Sequence, residues 1–97
     1  MALATLVAGG EAAHPELDSG IISDILWAAA RPDDGLEHIH VRSAAGRIDV
    51  TFFHRAESLS AALAAAGDIC RRSLDSSPVL RGWGFDAPHP DSVPGVP

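Results

Sequence analysis

Three features of the chain predict an α+β domain. Residues 36–56, LEHIHVRSAAGRIDVTFFHRA, alternate apolar and polar side chains on both sides of a glycine-containing connection, the mark of a hairpin. The stretches near 18–30 and 58–76 instead space their apolar residues by three and four, as helices do. Short apolar runs stand at the two ends, outside the helices.

The opening run ALATLVA is apolar with some β-branching and stops at Gly9-Gly10, which predicts a first strand, buried on both faces. DSGIISDILWAAA then sets Ile22, Ile25, Leu26 and Ala29 on one helical stripe. Asp18 or Ser19 stands ready to cap its start and Pro32 forbids its continuation. Trp27 lies off that stripe, at a corner of the core or on a contact surface. RPDDGLE is a turn, and Asp33, Asp34 and Glu37 within it read as turn formers rather than as an acid/base pair.

Parity fixes the hairpin register. With Val41 opposite Val50, Ile39 meets Phe52, Ser43 meets Ile48, Arg42 meets Asp49, His40 meets Thr51 and His38 meets Phe53. A slip of one residue would set Val41 against Asp49 and bury a charge. The second helix runs from about Ser58, its cap, to Ser76, with Leu59, Ala62, Leu63, Ala66, Cys70 and Leu74 along one side and Pro78 at its end. VLRGWGFD is predicted as the last strand. The domain then ends at residue 87, and 88–97, APHPDSVPGVP from its second residue onward, forms a proline-rich flexible tail.

The resulting order, β-α-β-β-α-β, specifies the ferredoxin-like plait: a four-stranded antiparallel sheet with both helices on one face. The runner-up omits the first strand and leaves two helices on a three-stranded sheet. In either case the aliphatic side of the hairpin is covered and the histidine side is open.

Composition bounds what that open side can do. The 97 residues carry a net charge of −6, all seven basic residues are arginine, and alanine is abundant, a bias that points to a high-GC bacterial genome. An acidic balance disfavours a phosphate backbone as partner. One cysteine excludes an internal disulfide framework and a four-cysteine zinc module, in keeping with a reducing compartment. No apolar run reaches the roughly 18 residues of a membrane span and no secretory signal opens the chain, so a cytoplasmic location without a membrane partner is expected.

Three chemistries bear on what the chain can do. His38 and His40 project the same way from one strand, as His-x-His pairs do in zinc and iron sites, but a third ligand would have to come from Asp49 or another strand. Neither metal nor any other cofactor is predicted. Arg81 to Phe85, RGWGF, resembles the basic-Gly-aromatic-Gly-aromatic core of the RNA-recognition-motif signature, which would imply base stacking on an open sheet. Trp83 replaces the usual Phe or Tyr, Asp86 stands where an aliphatic residue belongs, and the stretch falls on the last strand rather than the third. Cys70, mid-helix on the apolar stripe, reads as a small core residue and not a nucleophile, and no catalytic motif occurs.

Association is the remaining chemistry. The expected interaction face comprises His38, His40, Asp49, Thr51 and Phe53 from the hairpin, with Arg81, Trp83 and Phe85 from the last strand. A small non-catalytic accessory protein is expected, a homodimer or a protein that docks a partner through this face. The alternative, from a different class, is a dimeric small-ligand binder or cofactor-free enzyme with His38 and His40 lining an enclosed pocket.

Overall fold

The computed structural model describes residues 1–9, 16–55 and 57–90. Gly10 and most of the expected tail, residues 91–97, lie outside the described residues.

A strand β1 (Ala2–Ala8) leads to helix α1 (Ser19–Ala29), a hairpin of β2 (Leu36–Ala44) and β3 (Arg47–His54), helix α2 (Leu59–Ser76), and two short strands, β4 (Trp83–Phe85) and β5 (His89–Pro90). The strands form one five-stranded, wholly antiparallel sheet in the order β2-β3-β1-β4, with β5 also pairing β1. The chain is thus an α+β domain with one more strand than expected.

Both helices begin where their caps predict. The Asp18 carboxylate accepts the N–H groups of Gly20 and Ile21, and the Ser58 hydroxyl accepts that of Ala61, satisfying donors that a helix start leaves unpaired. Ile22 and Leu26 of α1 and Ala62, Ala66, Ile69 and Cys70 of α2 are buried. Leu59 is the exception to the expected α2 stripe: at the first position of the helix it is half exposed.

The hairpin has the register that parity requires, from His38 opposite Phe53 to Ser43 opposite Ile48. Ala45 and Gly46 make the two-residue turn, and Gly46 takes φ 72°, a conformation that costs a glycine nothing. At the far end of β2 two residues, Leu36 and His38, span a step that β3 takes in one, so Glu37 is extra in the ladder.

One side of the sheet supplies Ala2, Ala4, Leu6, Ile39, Ile48, Val50 and Phe52 to a single core with Ile22, Leu26, Ala66, Ile69, Cys70 and Leu80. Since residues of both helices join that cluster, both helices lie on that side, and among the described residues no helix covers the other side of the sheet. β1 was expected to be buried on both faces. It alternates instead, with Ala2, Ala4 and Leu6 inside and Leu3, Thr5 and Val7 on the uncovered face.

The C-terminal region departs most from expectation. Pro78–Leu80 form a turn of 3-10 helix that sinks Leu80 into the core, so only Trp83–Phe85 remain as strand. The boundary expected at residue 87 is also exceeded: His89 and Pro90 pair with Leu3 and Ala2. The central strand β1 would otherwise lack a neighbour at its start, and its unpaired backbone groups favour capture of the following segment.

A second anchor ties the layers together. Arg72 of α2 donates from Nε to the Ala29 carbonyl at 2.8 Å and from its terminal nitrogen to Asp34 Oδ2 at 2.5 Å. The same carboxylate oxygen accepts the Arg31 N–H at 2.7 Å. One guanidinium therefore fastens the end of α1 and the turn that delivers β2.

Candidate functional site

The uncovered face is built by the alternation of three strands. β2 contributes His38, His40 and Arg42, β3 contributes Phe53, Thr51, Asp49 and Arg47, and β1 contributes Leu3, Thr5 and Val7, which stand opposite Thr51, Asp49 and Arg47 in turn. His38 and Phe53 face each other with ring centroids 5.6 Å apart. Phe53 is 37% exposed and Val7 45%, so apolar surface lies open to water on this side.

Asp49 is the centre of the polar part. Its Oδ1 accepts from Thr5 Oγ1 at 3.0 Å across the strand pair and from Arg47 Nε at 3.2 Å along its own strand. The carboxylate is thereby held by β1 and β3, not offered to His40 as a metal ligand. Among the described residues no group of three or more His, Cys, Asp and Glu side chains is arranged to hold a metal ion. His54 points to the covered side, stacked at 5.8 Å on Phe52, and its Nδ1 donates to the Asp34 carbonyl at 3.0 Å.

Trp83 and Phe85 are not on this face, contrary to expectation. They stand opposite Ala8 and Leu6, and Leu6 is a core residue, so both aromatic rings lie on the helix side and pack against the core from its edge. The expectation took Arg81 as the solvent-facing residue of a strand that also held Val79. That segment is a 3-10 turn, which breaks the parity, and Arg81 is an exposed residue beyond it. With Trp83 and Phe85 on the helix side, the likeness of RGWGF to an RNA-binding signature loses its geometric basis. Asp49, Thr51, Phe53, His38 and His40 do share one face, as expected.

Sequence reasoning missed Leu3, Thr5, Val7, Arg47 and His89. The first three follow from alternation once β1 is known to have one wet side, and the mix of Thr5 with apolar neighbours was the available signal. His89 carried no such signal, being flanked by Pro88 and Pro90.

A concavity of about 220 Å³ is bordered by Leu3, Thr5, Arg47, Asp49, Thr51 and His89. A second cleft, about 290 Å³, lies at the end of α1 between Trp27, Ala30, Arg31, Pro32, Gly35 and Leu36, and accounts for the 42% exposure of Trp27 as one of its walls. Cys70 is fully buried, and burial pushes its thiol up to about 12, so it is no nucleophile at neutral pH.

No protein-family model, no curated protein and no solved structure matches the chain.

Proposed function

We propose that the chain is a small non-catalytic binding module whose uncovered sheet face closes against a second copy of itself. We read its architecture as a ferredoxin-like plait extended by one short strand, a form in which one sheet face is free to serve an interface. The observation that supports the reading best is the exposure of Phe53, Val7 and part of Leu3 on the side of the sheet that has no helices. The domain is only 19 Å across its shortest dimension, a two-layer thickness, and a short chain gains from sharing a third layer.

Area decides how strong such a dimer is. Three strands and a fourth row shared by β4 and β5, about 4.8 Å apart and some 25 Å long, present roughly 500 Å² of sheet per copy. Two copies bury on the order of 1,000 Å², the low end of specific interfaces, which implies reversible, concentration-dependent association. Charge does not oppose it: Asp49 is already neutralised by Arg47, and most acidic residues stand on the helices and turns.

Sedimentation or light scattering across a dilution series tests the reading on the wild type and on Phe53→Asp. The expected result is a wild-type dimer that dissociates on dilution and a variant that is monomeric throughout while keeping its helical content. Trp83 is unsuitable for this test because it supports the core. A wild type that stays monomeric at the highest soluble concentration refutes self-association.

A further inference from the structure

We infer that the concavity on the uncovered face is a binding site for a small carboxylate carrying a hydroxyl or amino donor on the neighbouring carbon. The inference rests on the reading of this face as the working surface, though not on the presence of a second copy.

The argument begins with a register change. β4 meets β1 with Leu6 opposite Phe85, whereas β5 meets it with Leu3 opposite His89. Three residues of β1 are thus spanned by four of the other segment. The extra residue falls at Ala87-Pro88, where Pro88 leans toward α2 at Gly67. Had the β4 register continued, Leu3 would oppose Pro88, and His89 would oppose Ala2 on the helix side. The bulge turns His89 over to the uncovered face, beside Leu3 and toward Thr5 and Asp49. Bulges that re-aim a side chain are characteristic of functional sites. Just before this interruption the Asp86 N–H donates to the Thr5 carbonyl at 3.2 Å, and the concavity borders Thr5.

The groups around this space have complementary roles. Arg47 uses Nε on Asp49, and its two terminal nitrogens make no hydrogen bond among the described residues, so they present donors to a carboxylate. His89 Nδ1 is 3.1 Å from the Pro90 carbonyl, and a carbonyl oxygen only accepts, so Nδ1 carries a proton and Nε2 is left as an acceptor in the neutral ring. Asp49 Oδ2 is a second acceptor, for the same reason that Oδ1 is not: Thr5 and Arg47 both occupy Oδ1. A ligand with an anionic end for Arg47 and a donor for Asp49 Oδ2 or His89 Nε2 satisfies both sets, whereas a simple anion brings no donor to those two acceptors. The volume of about 220 Å³ lies below the range of drug-sized pockets and suits a small organic acid.

Isotope-edited NMR titration of the full chain tests this, with L-lactate, L-alanine and acetate as probes. Saturable shifts at Thr5, Arg47, Thr51 and His89 with lactate or alanine, and binding of acetate about 5-fold weaker, are expected, since one hydrogen bond of about 1 kcal/mol separates them. Lactate without alanine would assign the donor as a hydroxyl, the reverse as an ammonium. Arg47→Gln should weaken the better probe by about 10-fold or more, the value of a charge-assisted contact, whereas Arg71→Gln, on the exposed side of α2, should not. Shifts that grow linearly without saturation, equal affinity for acetate, or an unaffected Arg47→Gln variant overturn the site. Sedimentation of the same samples separates the two readings. A dimer that binds none of the probes overturns the site alone, and a monomer that binds lactate or alanine saturably sustains the site while refuting self-association.

Discussion

Replacing Arg72 by Met removes a guanidinium and keeps most of the apolar stem, so it isolates the polar anchor between α2 and the turn before β2. Two contacts disappear, one to the Ala29 carbonyl and one to Asp34 Oδ2. The pair is shielded but not sealed, since the Arg72 side chain is 23% exposed and that of Asp34 only 10%. A hydrogen bond to a charged group contributes about 1.5–3 kcal/mol when well shielded. Asp34 keeps the Arg31 N–H as a donor in the variant, and water can reach the vacated side of Ala29, so the lower part of that range applies to each contact. The sum is a loss of about 3 kcal/mol, which for a domain of this size lowers Tm by roughly 12–24 °C. Asp34→Asn tests the partner, and the double variant closes a thermodynamic cycle whose coupling energy should be about 1–2 kcal/mol. Urea unfolding followed by tryptophan fluorescence is a suitable assay, because Trp27 borders the same turn. A loss below about 0.5 kcal/mol for Arg72→Met, or strict additivity of the two substitutions, would show that the anchor is solvated and that packing alone positions the turn.

Two other expectations follow from the placement of side chains. Trp83→Ala should destabilise the fold by about 2–3 kcal/mol because the ring packs on the core, while Phe53→Ser, on the uncovered face, should change monomer stability by less than about 1 kcal/mol; urea midpoints below the dimer range that ranked the two in the opposite order would reverse the assignment of faces. Burial holds the Cys70 thiol neutral up to about 12, well above its ordinary value of 9.0, so the folded state keeps its full contribution below pH 9. Between pH 9 and about 12 the unfolded chain ionises first and wild-type stability should fall by about 1.4 kcal/mol per pH unit relative to Cys70→Ala, as read from urea midpoints at pH 8 and 10. Parallel pH dependences in the two proteins would mean that the thiol is solvated in the native state.

The parts of the fold that sequence alone made legible are those where one local rule acts unopposed. The hairpin register followed because slipping it would bury Asp49, and the helix starts followed because Asp18 and Ser58 are caps with apolar periodicity behind them. The last third was harder to read because two rules competed there. In VLRGWGF, β-propensity favours a strand, but Pro78 pre-sets a helical φ and Leu80 is drawn into the core, so the parity count began from the wrong residue. That single phase error moved Trp83 and Phe85 to the wrong side. The role of β5 was invisible for a different reason: what captures His89 and Pro90 is the vacant edge of β1, almost the whole chain away. Of the candidate site, the hairpin half was therefore readable and the half supplied by β1 and β5 was not.

The position of β1 in the middle of the sheet also dictates an order of assembly. Ala2 pairs with Phe52, a separation of 52 − 2 = 50 residues, whereas β2 and β3 meet across two. Local pairs close cheaply and distant ones only after much of the chain has been ordered. On a ribosome β1 emerges before the hairpin and must therefore wait, with Leu6 and its neighbours unburied, until the hairpin has formed the surface that receives it. A strand made before its partners is thus among the last elements of the sheet to find its place, and in that interval it depends on the solubility of a short, alanine-rich segment.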